Sequence, residues 1–312
     1  MANQSTVSEF IFIGFPGLHQ NFHIPVSMVM FLLYSISLVA NSTVMILILV
    51  KRPLHQPMYI IIGNLALSDL LFDTLTLPKI IAKYWFGAGS ISFYGCFFQL
   101  FWVHCLGSFD SFVIMLMAID RYVAVCKPLR YHSIITNRLV AILCYFLWLL
   151  AALIATVNSV VAAKLPYCGP SNIKNCFCAF TTVTPLACTD ITHSIRTAFI
   201  SAMCVLLLPL AFIALSYVLI ILAIKQSARN EKWKKAFYTC TTHLFVIGLY
   251  YIPRVFVYGS NQARWILDAD LNVLLLCLYT FIPHAASPII YCLRTKEIKD
   301  IIGQGLIKIN NR

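Results

Sequence analysis

The sequence has few charged residues: 11% of its 312 residues are Asp, Glu, Lys or Arg, whereas 60% are hydrophobic. Soluble domains carry about 25% charged residues, so this chain lacks the surface that a water-soluble enzyme needs. Disorder is also excluded, because disordered chains combine low hydrophobicity with high charge. The chain lacks the short alternating segments of a membrane β-barrel. The remaining class is a helical, multi-pass membrane protein.

Seven apolar segments are long enough to cross a bilayer, which takes roughly 20 apolar residues per helix. Their connections are short, apart from a polar one between the fourth and the fifth. We therefore expect an all-α membrane protein, a single seven-transmembrane helix bundle over residues 24–293, between an outer segment 1–23 and a tail 294–312. No internal repeat is evident, which argues against a transporter built from duplicated halves. The expected spans are residues 24–50, 58–82, 93–126, 139–163, 194–225, 236–258 and 266–293.

Acidic residues are scarce, with 11 Asp and Glu against 23 Lys and Arg. Most of the basic residues follow the first, third, fifth and seventh spans, which marks that side as cytoplasmic and puts the N-terminus outside. The net charge of +12 therefore indicates orientation in a membrane and not a nucleic-acid partner. No basic stretch precedes the first span, so we expect no cleavable signal peptide. The sequon that begins at Asn3 lies on the outer side, where it predicts glycosylation.

Five of the 12 cysteines fall on the expected outer side, where disulfides persist. Four belong to the long loop and one begins the third span, which suggests two bridges and one spare thiol. Sequence alone leaves the pairing open. These residues are Cys96, Cys168, Cys176, Cys178 and Cys188.

Two carboxylates, Asp69 and Asp110, lie in the middle of the second and third spans. A charge in hydrocarbon costs at least about 2.5–3.5 kcal/mol, so such residues usually mark function. Two hypotheses remain open: a cation site, with sodium as the candidate ion, or a protonated, hydrogen-bonded structural pair. Neutral ligands for a cation are available from Ser68, Ser108, Ser111 and Ser287.

Further polar residues and prolines mark the inner halves of the spans. The triplet Asp120-Arg121-Tyr122 closes the third span, roughly 37 Å of helix from Cys96. Prolines lie inside the fifth, sixth and seventh spans, where each removes a backbone hydrogen bond and favours a kink. Three kinks in consecutive helices fit elements that pivot. The prolines are Pro209, Pro253 and Pro288.

These features together resemble a rhodopsin-like G-protein-coupled receptor over all seven spans. Several longer motifs are similar to those of odorant receptors, and Phe15-Pro16-Gly17-Leu18 resembles their class I, or fish-like, branch. The motifs are Leu54-His55-Gln56-Pro57-Met58-Tyr59, the run Met117–Cys126 with Pro128-Leu129-Arg130-Tyr131, Ser216-Tyr217, the run Lys235–Leu244, and Pro288-Ile289-Ile290-Tyr291.

The resemblance implies a receptor of the plasma membrane of olfactory cilia, with no catalytic activity. It would bind a small odorant from outside and activate a stimulatory, olfactory-type G protein that raises cAMP. It also implies disulfides Cys96–Cys178 and Cys168–Cys188, and leaves Cys176 as an extra cysteine. No cofactor is implied apart from the candidate sodium ion. The residues implied in coupling are Asp120, Arg121, Tyr122, Tyr217, His243 and Tyr291.

By position, the odorant pocket lies among the outer halves of the third, fifth, sixth and seventh spans, with the long loop as a lid. Arg254 supports two hypotheses: it snorkels outward to lipid headgroups, or it points inward and clamps an acidic ligand with the help of His104 and Tyr258. The expected pocket residues are Val103, His104, Gly107, Ser108, Phe180, Ser201, Val205, Tyr251, Arg254, Val255, Tyr258, Leu278 and Phe281.

Two other functions compete with this one. A transporter or channel would need a continuous polar path through the bundle. A non-olfactory receptor would bind an amine or a lipid. An amine receptor would want an acid on the outer half of the third span, where Val103 and His104 stand instead.

Overall fold

The structure is a computed structural model that describes residues 7–226, 232–262, 268–294 and 298. Within these residues seven long helices follow nearly the same bounds as the expected spans. Asn3 and the tail beyond Arg294, apart from Ile298, lie outside the described residues. The helices are α1 (His23–Val50), α2 (Pro57–Phe86), α3 (Phe93–Cys126), α4 (Asn137–Ala163), α5 (Thr192–Gln226), α6 (Lys232–Gln262) and α7 (Ala269–Arg294).

Six of the helices are long and apolar enough to cross a membrane, and α6 contains a shorter apolar stretch, His243–Val257. The prolines at 209, 253 and 288 lie inside α5, α6 and α7, as expected. The prediction of a seven-helix membrane bundle is confirmed.

Local sequence signals set several helix ends. Ser92 caps α3, since its side chain accepts a hydrogen bond from the amide of Gly95 at 3.1 Å. Thr136 caps α4 in the same way. At α2, Pro57 occupies the first turn, where its missing N–H costs nothing, and Gly87 ends the helix with a φ of 71° that favours glycine. These signals place the ends of the spans and hence the loops.

Large apolar side chains face outward along the bundle, for example Val39 at 65% exposure on α1 and Leu153 at 63% on α4. In water such a surface would aggregate, whereas in lipid it is the natural exterior. The polar groups instead lie inside, where the helices satisfy them.

The centre of the bundle is α3, whose middle turns are buried on nearly all sides. The Phe109 ring stacks on Trp148 of α4 at 3.9 Å between centroids, and the Trp148 indole donates to Asn64 of α2 at 3.1 Å. Three helices are thereby locked together, and α3 connects the two ends of the molecule.

A small sheet covers the end of the bundle where α3 begins. β1 (Glu9–Phe12) pairs antiparallel with β2 (Ser90–Ser92) and parallel with β3 (Asn172–Ile173). Phe10 and Phe12 of β1 are completely buried beneath it. This sheet could not be predicted from the sequence, because its strands are only two to four residues long. It ties the N-terminal segment to the long loop between α4 and α5.

Candidate functional site

Both disulfides lie at this same end, which we call the disulfide end. Cys96 is bonded to Cys178, and Cys168 to Cys188, with Cα–Cα distances of 5.6 and 5.9 Å. The amide of Cys178 also donates to the side chain of Gln99 on α3 at 2.8 Å. The middle of the long loop is thus fixed directly over the first turns of α3.

A cavity of about 140 Å³ lies below this loop. A cavity of roughly 150 Å³ holds one benzene molecule, so this one has room for a small organic ligand. Its lining includes one cation and, among the described residues, no carboxylate. The lining residues are Phe72, Val103, His104, Gly107, Ser108, Ser111, Phe177, Ala179, Thr181, Ala202, Val205, Leu206, Tyr250, Arg254, Leu276, Tyr279 and Thr280.

Arg254 is the cation of the cavity. Its guanidinium donates to the phenol of Tyr250, one turn earlier on α6, and lies 3.8 Å from the centre of that ring. The ring of Tyr279 on α7 lies 5.5 Å away. Arginine stays protonated in proteins, and the aromatic faces attract its charge without neutralising it. The structure thus places Arg254 toward the cavity, as in the hypothesis that it points inward, and not outward toward lipid headgroups.

His104 connects the cavity to the loop above it. Its Nε2 accepts a hydrogen bond from the amide of Phe180 at 3.2 Å, so a neutral ring carries its proton on Nδ1. Phe180 itself is buried, begins a one-turn helix (Phe180–Val183), and is not among the lining residues. The loop residues that do reach the cavity are Phe177, Ala179 and Thr181.

The structure differs from the expected pocket at several other positions. Val255 and Leu278 are each 40% exposed. Val255 follows Arg254 directly, and Leu278 directly precedes Tyr279, so each is turned about 100° around its helix from a residue that lines the cavity. Tyr251 bonds Ser111 at 2.8 Å. Phe281 packs on Phe72 and Phe177. None of these four, nor Ser201, lines the cavity, and the side chain of Tyr258 lies outside the described residues.

Asp69 and Asp110 come together in the middle of the bundle, with His284 of α7 between them. His284 Nε2 lies 3.6 Å from Asp69 Oδ1 and 3.8 Å from Asp110 Oδ2. All three residues are at most 2% exposed, and these ligand atoms lie within 4.8 Å of one another. Such a group of acids and an imidazole is able to hold a proton or a cation.

A third carboxylate, Asp73, completes this core acid cluster (Asp69, Asp73, Asp110 and His284). Asp73 bonds His284 Nδ1 at 2.7 Å and accepts from the hydroxyl of Ser37 at 2.5 Å. Ser68 donates to Asp110 at 2.6 Å. Three buried carboxylates lie beside one imidazole here, and burial penalises their ionised forms, so the cluster is able to take up protons or a cation.

Sequence reasoning missed Asp73 and His284, although each carried a signal. Asp73 follows Asp69 by four residues, so both lie on one face of α2. His284 precedes Pro288 by four residues, so it lies on the same face of α7 as that proline. Tyr250 and Tyr279 were also missed, because aromatic residues in an apolar helix give no sign of which face they occupy.

The other end of α3 carries a second polar group, which we call the Asp-Arg-Tyr end. Arg121 Nε lies 3.8 Å from Asp120 Oδ2, and Asp120 is 2% exposed. Tyr217 and His243 are buried as well. The rings of His243 and Tyr291 lie 5.8 Å apart, and the Tyr291 hydroxyl contacts the sulfur of Met117 on α3. Tyr122 packs at the rim of the same region.

Tyr131, in the one-turn helix Tyr131–Ile134, is an unexpected member of this end. Its phenol donates to Asp120 Oδ1 at 2.8 Å. Burial, followed by the nearby Asp120 carboxylate, raises the pKa of the Tyr131 phenol above its ordinary value. It therefore remains a donor at neutral pH, and it holds the carboxylate that pairs with Arg121.

Seven membrane helices, a ligand-sized cavity at one end and an Asp-Arg pair with a buried carboxylate at the other define a seven-transmembrane G-protein-coupled receptor. Residues 30–308 match the family model of the olfactory receptors. Human olfactory receptor 56B2 is 38% identical over 97% of this chain and 94% of its own, and mouse olfactory receptor 56B34 is 39% identical over 94% and 91%. Human olfactory receptor 52K1 is 33% identical over 94% and 93%.

The chain therefore belongs to the olfactory receptor family. It is a multi-pass protein of the plasma membrane and not an enzyme. As a member of this family it binds small odorants and G proteins.

Proposed function

We propose that this receptor detects small acidic odorants and activates a stimulatory, olfactory-type G protein, which raises cAMP. The observation that carries the proposal is the position of Arg254, a permanent cation turned to a small cavity that has no carboxylate among its described lining residues. A carboxylate ligand would form a charge-assisted and bidentate pair with the guanidinium. Membership of class I, by the Phe15-Pro16-Gly17-Leu18 resemblance, is part of this proposal.

The size of the cavity narrows the ligand further. About 140 Å³ suits a molecule of benzene's size, so we propose carboxylic acids of short chain length. Apolar lining residues such as Val103, Val205 and Leu206 would contact the hydrocarbon part of the acid. An amine would meet Arg254 with like charge, which argues against an amine receptor.

The proposed orientation puts the disulfide end outside and the Asp-Arg-Tyr end in the cytoplasm of the olfactory cilium, with lipid around the exposed apolar faces. Activation is a shift between two populations, because the odorant binds the active arrangement more tightly. Arg121 then leaves Asp120 and meets the G protein, as α6 moves and Tyr217, His243 and Tyr291 rearrange.

A cAMP assay with a panel of acids, alcohols, amines and amino acids tests this function. We expect acids to be the most potent class, with their methyl esters as matched neutral controls of nearly equal size. Equal potency of an acid and its ester would contradict the acid proposal and leave the receptor family intact. A response through another G protein only would contradict the proposed coupling.

The core acid cluster is proposed as a regulatory cation site. Asp69 and Asp110 hold a sodium ion in the resting receptor, and the imidazolium of His284 competes with this ion for the two carboxylates. Two facts support this proposal: the carboxylates flank His284 Nε2 at 3.6 and 3.8 Å, and three buried acids need positive charge.

Asp69→Asn should change basal activity and abolish the sodium dependence of the odorant response, with surface expression near normal. The amide removes one ionic ligand while keeping the shape of the side chain. The measurement is nucleotide exchange in receptor membranes at varied sodium, with choline as the replacement ion. His284→Asn should strengthen the sodium dependence, because no imidazolium then competes with the ion. An Asp69→Asn receptor identical to wild type in both respects would demote the cluster to a structural role.

Tyr131→Phe should raise basal signalling, because it removes a donor that holds Asp120 in its pairing with Arg121. A hydrogen bond to a charged group contributes about 1.5–3 kcal/mol. The ratio of active to inactive receptor should therefore rise by at most roughly tenfold to 150-fold. Basal cAMP normalised to surface expression measures it. Ser133→Ala is the matched control, because it removes a hydroxyl of the same one-turn helix that donates to the carbonyl of Arg130 and not to Asp120. Unchanged basal activity in Tyr131→Phe would show that this bond does not restrain the receptor.

A further inference from the structure

Two cysteines outside the assigned disulfides lie close together at the disulfide end. The Sγ atoms of Cys176, in the long loop, and Cys277, on α7, are 3.5 Å apart. Both are free thiols in the structure, and Cys176 is completely buried. A disulfide has an S–S distance of about 2.0 Å, so the two sulfurs must approach by about 1.5 Å to bond.

The surroundings of this pair favour oxidation. The proposed orientation puts this end and its two disulfides outside the cytoplasm, where disulfides form and persist. The ammonium of Lys83 interacts with Cys176 and favours its thiolate, the form that attacks a disulfide. The hydrogen bond with Cys277 and burial have the opposite and larger effect, and the pKa of the Cys176 thiol is raised. Oxidation is therefore expected while the loop packs, before burial protects the thiols.

We propose that Cys176 and Cys277 form a third disulfide, which ties the lid of the odorant cavity to α7. The two thiols lose two protons and two electrons to form one S–S bond. A disulfide oxidant of the secretory pathway accepts them by thiol–disulfide exchange and leaves as a dithiol.

The bridge would act on ligand binding through Phe177. This residue lines the cavity and stands between Cys176 and Cys178, which is already bonded to Cys96 on α3. The second anchor would come from α7, where Leu276, next to Cys277, lines the same cavity. With both anchors in place, Phe177 has a fixed position in the cavity wall. The ligand then binds more tightly, because less of the loop has to become ordered on binding.

Peptide mapping of the wild-type receptor tests the bond directly. The receptor is extracted with N-ethylmaleimide to block free thiols and digested with trypsin without reduction. Cleavage after Lys174 and Arg196 leaves Cys176, Cys178 and Cys188 in one peptide. Mass spectrometry should find that peptide linked to the peptide of Cys277, in addition to those of Cys96 and Cys168. Cys176→Ser should lose only the link to Cys277, whereas Cys204→Ser, which removes an exposed thiol on α5, should leave the map unchanged.

Odorant potency tests the effect of the bridge on ligand binding. This second measurement rests on the proposed function, whereas the peptide map does not. Cys176→Ser and Cys277→Ser should each reach the surface and show the same loss of potency. The double variant should show no further loss, because either single change removes the whole bridge. Maleimide on both Cys176 and Cys277 of the wild-type receptor would overturn the disulfide. Equal potency of all four receptors, or additive losses, would overturn its role in the lid.

Discussion

Arg254→Ala should lose the response to carboxylic acids while the receptor still reaches the cell surface. Removing one partner of a buried charge pair costs about 2–5 kcal/mol, which is roughly 30-fold to several thousand-fold in potency. The loss should be specific to acids, because the apolar lining that contacts the rest of the ligand remains. Concentration–response curves in a cAMP assay, for an acid and its methyl ester, measure it.

Arg254→Lys should recover only part of the response, since an ammonium keeps the charge but not the bidentate geometry or the stacking on Tyr250 and Tyr279. Arg196→Ala is the matched control, because Arg196 is exposed near the start of α5 and is not among the lining residues. If neutral or cationic odorants are the best agonists and Arg254→Ala leaves their potency unchanged, the anion clamp is wrong.

Cys178→Ser should nearly abolish surface expression. The loss of a native disulfide costs about 2–5 kcal/mol, which is comparable to the whole stability of many domains. Here Cys178 also positions its amide on Gln99, and its partner Cys96 is completely buried. The loop over the cavity would lose its attachment to α3. Flow cytometry of a tag on the N-terminus, compared with total receptor on a blot, measures the effect.

Cys176→Ser provides the comparison, because it changes a neighbouring cysteine of the same loop and leaves Cys96–Cys178 intact. Its surface expression should stay within a factor of about two of wild type, since the loop remains attached to α3 through Cys96–Cys178 even without a bond to Cys277. Loss of surface expression in Cys176→Ser together with normal expression in Cys178→Ser would show that the loop is held differently.

Individual cavity residues followed less well from the sequence than the helices that supply them. Position along α6 and α7 was clear from the sequence, but rotation around each axis was not, because residues on all sides of these helices are apolar. The structure consequently places Arg254 at the cavity, whereas its neighbour Val255 lies on the exposed face. A moderate error in the predicted rotation of a helix about its axis is enough to place a lipid-facing residue in the cavity and its neighbour in the lipid.

The sequence by itself determined the class of protein, the number and approximate bounds of the helices, and the receptor family. These depend on local signals: apolar segments of about 20 residues, motifs of adjacent residues, and capping residues such as Ser92 and Thr136. The tertiary structure decided what meets across the bundle. It alone put His284 of α7 between Asp69 and Asp110, and Cys277 beside Cys176, because contacts between distant segments depend on how helices rotate and pack against one another.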